Sequence, residues 1–163
     1  MRTKILPVML ACLLTLAAGC GDGNNSSTTA PTPTPTPTPP QPSQASITVE
    51  VLGFGAVASG SGNLFAIGLR LTETAGVGAN INFIRLEVFR ATGEFEERQE
   101  IGAGQITSQT GSNRLAANST RDLNPVLFTF NATVKSGRII RVTTGFTDDR
   151  GNNFEFVEDF VFT

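Results

Sequence analysis

The chain has 163 residues and a formal net charge of −2 at pH 7, from 12 Lys and Arg against 14 Asp and Glu. This mildly acidic balance argues against a nucleic-acid-binding protein, which would present a basic face. The chain has no His, Trp or Tyr, and its two cysteines lie near the N-terminus, so we expect no zinc or copper site, no His-dependent hydrolase and no cofactor.

Residues 1–19 have the features of a secretory signal peptide. Arg2 and Lys4 precede an apolar run from Ile5 to Ala18, and small residues follow. As a helix this run would be about 21 Å long, whereas the hydrocarbon core of a bilayer is roughly 30 Å thick. A cleaved signal therefore explains the segment better than a transmembrane helix does.

The sequence "LAAGC", ending at Cys20, resembles the lipobox of bacterial lipoproteins, although Ala17 stands where Leu is commoner. The resemblance implies cleavage between Gly19 and Cys20, and lipidation of the Cys20 thiol. Two or three acyl chains would anchor the protein stably. Gly21, in place of Asp, implies sorting to the outer membrane by the proteobacterial rule. We expect a lipid-anchored protein of the bacterial cell envelope, on a periplasmic or surface face that the sequence leaves open.

Residues 20–45 form a predicted tether that starts at the lipidated cysteine. Gly21 to Thr29 is small and polar, which favours a flexible coil. Pro31 to Pro42 is a Thr-Pro repeat, which favours a polyproline II rod on the order of 35–40 Å long. A docking site for a reader of proline-rich segments and an O-glycosylated stalk are the alternatives. We interpret the segment as a spacer.

From 46 to 163, apolar and polar residues alternate with a period of two, which predicts β-strands with one buried face. All 12 Phe lie in this part, so we expect a core packed with Phe. The predicted inward-facing residues are, segment by segment, Ile47, Val49 and Val51; Phe65, Ile67, Leu69 and Leu71; Ile84, Leu86 and Val88; Val126, Phe128, Phe130, Ala132 and Val134; Ile140, Val142, Thr144 and Phe146; and Phe154, Phe156, Phe160 and Phe162.

Two places in this pattern are irregular. Glu158 interrupts the last apolar face, so we expect a bulge or a sheet edge there. Between Glu94 and Asn118 the alternation is weaker, where Ile101 and Ile106 suggest one strand and "NRLAAN" suggests another. No amphipathic helix of ten residues is visible in the sequence.

Strands of this number, separated by turns rich in Gly and Asn, predict an all-β fold: an antiparallel two-sheet sandwich of about seven strands. The segments "TETAGVGANINFIRLEVF" and "RVTTGFTDDRGN" resemble the immunoglobulin-like and fibronectin type III-like domains of bacterial surface proteins. The Cys-Trp-Cys core of true immunoglobulin domains is absent, and the resemblance implies no assigned activity.

Carboxylates are the main chemical groups left to consider. Asp148, Asp149, Asn152 and Asn153 offer hard oxygens for Ca²⁺, but a tight hairpin loop explains the same residues better. Glu155, Glu158 and Asp159 could include a glycosidase pair, although a surface ladder has the same spacing. The run Glu94, Glu96, Glu97 and Glu100 is typical of a charged strand edge.

Two further motifs have structural explanations. Lys135, the only Lys after the predicted signal, lies in "KSGR", which predicts a hairpin turn and not a Ser–Lys dyad. "GFGAVASG" has no helix after it to bind a phosphate. We therefore expect a non-enzymatic binding or structural module, with the membrane as one partner and an envelope protein or glycan as another. The alternative is a carbohydrate-binding or adhesion domain on the cell surface.

Overall fold

The computed structural model describes residues 40–59, 62–131 and 134–163. The predicted signal peptide, the cleavage site at Gly19 and Cys20, the tether as far as residue 39, and Ala132 all lie outside this range. The described residues contain no helix that is long and apolar enough to cross a bilayer.

Eight strands and one short helix make up the described residues. They are β1 (Ile47–Ser59), β2 (Gly62–Glu73), β3 (Ala79–Phe89), β4 (Phe95–Gly102), α1 (Ala103–Thr110), β5 (Arg114–Leu115), β6 (Thr120–Phe130), β7 (Ile139–Asp148) and β8 (Asn153–Val161). The small sheet has the order β1-β2-β6, and the large sheet has the order β4-β3-β7-β8, with β5 paired to β3. All pairs are antiparallel. The predicted all-β two-sheet sandwich is confirmed, and the eighth strand is the two-residue β5.

The core lies between the two sheets and is formed by the residues that alternate inward. Phe65, Ile67, Leu69 and Leu71 of β2 are fully buried, as the period of two predicted. The Phe65 ring lies 5.1 Å from the rings of both Phe54 and Phe130, so aromatic contacts fill the centre. Each side chain of this size contributes about 1.5–3 kcal/mol by leaving water.

The predictions for β1 hold only in part. Val49 is buried, but Ile47 and Val51 are partly exposed and pack against the margin of the core. The reason is topological: β1 is an edge strand of the small sheet. A period of two identifies the inward face of a strand, but it does not reveal whether a neighbouring strand covers that face.

The prediction that Ile101 and Ile106 share one strand is wrong. Ile101 lies in β4, whereas Ile106 is the buried residue of α1. The helix begins after Gly102 and ends at Thr110, and it is capped by Gly111, whose φ of +83° is the left-handed conformation that suits glycine. Its eight residues bury a single apolar side chain, so no helical period could emerge from the sequence.

The last strand, β8, contains no bulge, although a bulge at Glu158 is one of the two expectations from the sequence. β8 stays in continuous register with β7 from Asn153 to Val161. The other expectation is confirmed, because β8 is the edge strand of the large sheet. Glu158 therefore follows the inward alternation of its Phe neighbours and lies opposite the buried Val142.

Candidate functional site

The loop between β7 and β8 turns around the buried carboxylate of Asp148, which is 4% exposed. Its Oδ1 accepts the backbone N–H groups of Arg150 and Asn152, both at 2.9 Å. Its Oδ2 accepts the backbone N–H of Ala45 at 3.0 Å. The side-chain amide of Asn152 donates to Asp148 Oδ2 and to the carbonyl oxygen of Ser43, each at 3.0 Å. Asp148 thus joins its own loop to the last residues of the predicted tether.

A second buried carboxylate, that of Glu73, lies at the end of β2 and is 1% exposed. Its Oε1 accepts the backbone N–H groups of Ala75 at 2.8 Å and Ser46 at 3.2 Å. Its Oε2 accepts those of Asn118 at 2.8 Å and Gly76 at 3.0 Å. Four backbone donors therefore converge on one buried side chain, which supplies the acceptor for all of them.

The two carboxylates together hold the chain where it reaches the sandwich. We name the Glu73 and Asp148 carboxylates, with the backbone amides of Ala45 and Ser46, the junction clamp. Glu73 belongs to the small sheet and Asp148 to the large sheet. Two consecutive residues of the chain are consequently bonded to both sheets.

The hydrogen bonds of the junction clamp decide the charge state of its carboxyls. Burial raises the pKa of Asp148, but the Asn152 side chain and the amides of Ala45, Asn152 and Arg150 outweigh burial and bring that pKa to about 2. Burial likewise raises the pKa of Glu73, and its backbone donors turn the net shift downward. Both groups are ionised at neutral pH, so their hydrogen bonds are charge-assisted.

The four residues considered for Ca²⁺ do not share one centre. Asp148 and Asn152 bond to each other, whereas Asp149 forms a two-pronged ion pair with Arg114, with Oδ1 2.6 Å from Nη1. The Oδ1 of Asn153 accepts the hydroxyl of Thr147. Over the described range, no three His, Cys, Asp or Glu side chains are grouped to hold a metal ion.

Glu73 is the site residue that the sequence analysis missed. The signal was present, because Glu73 continues the inward series of β2 after Phe65, Ile67, Leu69 and Leu71. A carboxylate on a buried face, followed by the small residues of a turn, indicates a group that collects backbone donors. The sequence indicates Asp148 as a candidate Ca²⁺ ligand, whereas in the structure its oxygens accept hydrogen bonds from backbone N–H groups.

The other carboxylate candidates are separated by the sheet. Glu155 and Asp159 lie on the outer face of β8, opposite Gly145 and Arg141, whereas Glu158 lies on the inner face. Asp159 forms a two-pronged ion pair with Arg141, at 2.7 and 2.8 Å. Because Glu158 and the other two carboxylates face opposite sides of the sheet, they cannot flank one glycosidic bond.

Glu96, Glu97 and Glu100 of the acidic run lie on β4, which is the opposite edge of the large sheet, and Glu94 directly precedes this strand. Glu94 and Glu96 both form ion pairs with Arg90, and Glu100 forms one with Arg85 at 2.8 Å. The predicted charged strand edge is confirmed. Such charges discourage pairing with another chain.

Lys135 lies in a turn, but the predicted hairpin is wrong, because β6 and β7 belong to different sheets and do not pair. Its carbonyl oxygen accepts the N–H of Arg138 at 3.3 Å, and Gly137 has a φ of +85°. This residue precedes β7, and it is exposed.

Comparison with known proteins gives structural likeness alone. No protein-family model matches the chain, and a search of curated proteins finds no match. A crystal structure described as the ApaA protein of Bordetella pertussis is 18% identical, covers 73% of this chain and 94% of its own, and has a TM-score of 0.49. An X-ray structure of a Northeast Structural Genomics Consortium target is 11% identical over 74% of this chain and 85% of its own, with a TM-score of 0.47.

The sporulation control protein Spo0M of Bacillus subtilis is also similar in structure. It is 10% identical, with a TM-score of 0.39, over 72% of this chain and 49% of its own. Likenesses at this level carry no argument about activity, so the function has to be argued from the residues of this chain.

Proposed function

We propose that this chain is a lipid-anchored protein of the bacterial cell envelope, in which a non-enzymatic immunoglobulin-like module serves in binding or structural support. In this proposal, Cys20 carries the lipid, and the Thr-Pro tether holds the module away from the membrane surface. The Gly at position 21 favours the outer membrane as its location.

The junction clamp is the observation that supports this proposal most directly. It bonds Ala45, the last residue of the predicted tether, and Ser46, which follows it, to buried carboxylates of both sheets. A domain whose N-terminal segment merely trailed in solvent would gain little from ionised carboxylates buried there, because burying a charge is costly unless it is fully paired. A domain suspended by that segment needs a firm attachment at this point.

The anchor is tested by changing the two cysteines separately in the full chain. Cys20→Ser should abolish incorporation of labelled palmitate and move the protein from the detergent phase to the aqueous phase. Cys12→Ser is the matched control, because Cys12 lies in the predicted signal, and it should leave both properties unchanged. Equal labelling and partitioning of the Cys20→Ser variant and the wild type would refute the anchor.

The proposed location is tested on the wild-type protein. Separation of inner and outer membranes on a density gradient should place it with the outer-membrane fraction. Recovery with the inner membrane would contradict the sorting inferred from Gly21 and leave the lipid anchor intact.

A further inference from the structure

The outer edge of β8 carries exposed apolar side chains, and no strand of the described residues pairs with it. β8 ends the large sheet, so within the described residues the backbone groups on its far side form no ladder. On its outer face, Val157 is 53% exposed and Val161 is 58% exposed. Edge strands usually carry charges or bulges that prevent pairing, as β4 does with its ion-paired glutamates. β8 also carries Glu155, Glu158 and Asp159, but Asp159 is paired with Arg141. Because β8 has no bulge, its outer backbone groups are suited to receive another strand.

A groove runs along the inner side of the same edge, between β8 and β1. Its volume is about 320 Å³, and its walls include Val51, Phe54, Phe160 and Phe162. The Phe54 ring lies 5.2 Å from the Phe160 ring and 5.4 Å from the Phe162 ring. Both bordering strands are edge strands, so the groove is the open side of the sandwich. Apolar side chains of an added strand would fit against these rings.

One charged side chain faces into this groove beside the Phe rings. Glu158 lines it, and its Oε2 is shielded from solvent without a hydrogen-bond donor in the described part of the chain. A shielded carboxylate oxygen is costly to leave unpaired, and a cationic donor satisfies it best. The carboxylate of the adjacent Asp159 is already paired with Arg141 on the other face. The groove is therefore complementary to a group with an apolar stem and a cationic end.

We propose that the edge of β8 binds an extended segment of a partner protein by strand addition, with a Lys or Arg of that segment bonded to Glu158. Successive side chains of a strand alternate between faces. The partner's inward side chains should therefore be apolar, basic and apolar, opposite Phe160, Glu158 and Phe156. This inference rests on the binding role proposed above, and it adds the chemistry of the partner.

The chain's own tether does not fit this description, which favours a separate partner. Residues 21–45 contain no Lys and no Arg, so the tether cannot supply the cation. Each Pro of the Thr-Pro repeat also lacks the backbone N–H group that a residue needs to donate to a strand ladder.

Two labelled peptides of identical composition test the proposal on the purified full chain in mild detergent. In Thr-Val-Thr-Lys-Thr-Val-Thr, the Val, Lys and Val side chains share one face. In Thr-Val-Lys-Thr-Thr-Val-Thr, the Lys lies on the opposite face from both Val. Fluorescence anisotropy should show saturable binding of the first peptide, and binding at least roughly tenfold weaker for the second, because a shift of one position reverses the face.

Two substitutions on β8 assign the effect to one carboxylate. Glu158→Gln should weaken binding of the first peptide at least roughly tenfold and leave the second unchanged. Glu155→Gln removes the same charge from the outer face and should change neither affinity. Melting curves like that of the wild type would show that both variants fold.

The proposal would be overturned if the wild type bound the two peptides equally or showed no saturable binding. This outcome can be judged from the wild type alone. Full affinity in Glu158→Gln would overturn the role of Glu158. Sedimentation equilibrium could instead show a dimer of the wild type that is lost in the Glu158→Gln variant. In that case a second copy of the chain would occupy the edge of β8, and the proposal of a separate partner would be overturned. None of these results bears on the Cys20 labelling experiment, so the two proposals fail separately.

Discussion

Replacing Glu73 with Gln tests the junction clamp with almost no change in side-chain volume. The wild-type carboxylate accepts two backbone N–H groups on each oxygen, at distances of 2.8 to 3.2 Å. Gln keeps one oxygen and replaces the other with an NH₂ group, which can only donate. Whichever way the amide is oriented, two backbone donors then face another donor.

The expected loss of stability follows from those two donors. A buried donor left without an acceptor costs about 1–3 kcal/mol, and the remaining two bonds lose their charged acceptor. Because Glu73 is 1% exposed, water is a poor substitute for the lost carboxylate oxygen at this position. We expect the free energy of unfolding to fall by about 3 kcal/mol, a large share of the 5–15 kcal/mol typical of a domain.

Urea denaturation followed by circular dichroism measures this change. Glu155→Gln is the matched control, since Glu155 is exposed on the outer face of β8, and it should change stability by less than about 0.5 kcal/mol. The slope of the transition should be the same in all three proteins, because the folded state stays intact. A loss below about 1 kcal/mol in Glu73→Gln would refute the reasoning about the buried donors.

Three more predictions concern stability. The pKa of Asp148 falls from an ordinary 3.8 to about 2 in the folded state, so its contribution to stability is present above pH 3.8 and is lost as the pH falls toward 2. Between pH 4 and 2, the stability of the Asp148→Asn variant should therefore decline less than that of the wild type. Parallel curves of stability against pH would contradict this. Gly145→Ala makes a methyl group collide with the Phe83 ring and should lower the free energy of unfolding by about 1–3 kcal/mol. A double-mutant cycle measured in urea should show a smaller loss when Phe83→Ala is also present. Ile106→Ala should cost about 2–5 kcal/mol, measured by thermal denaturation, because α1 attaches to the sandwich through this fully buried side chain.

The sheets could be predicted because their signal is local and repeats along each strand. Phe65, Ile67 and Leu69 follow one another at every second position, and all are buried. The helix could not be predicted in this way, since Ile106 is its single buried residue. A pattern needs at least two members to define a period.

Only part of the candidate site could be predicted from the sequence. Asp148 and Asn152 were recognised as oxygen-bearing residues, but their partners include Ala45 and Ser43, about a hundred positions earlier in the chain. Contacts at that separation depend on which strands are neighbours, and no local pattern specifies this. Glu73 was overlooked because its neighbours in the sequence look like an ordinary turn.

The position of the junction clamp has a mechanical consequence. The clamp lies where β1 starts and where β2 and β7 end, whereas Phe160 and Phe162 lie toward the opposite end of the sandwich. A force between a tether at one end and a partner at the other would run along the strands. The ladder hydrogen bonds, which lie across the strands, would then be loaded together in shear and would not open one after another. A sandwich held in this way would resist pulling better than one suspended from the same end as its load.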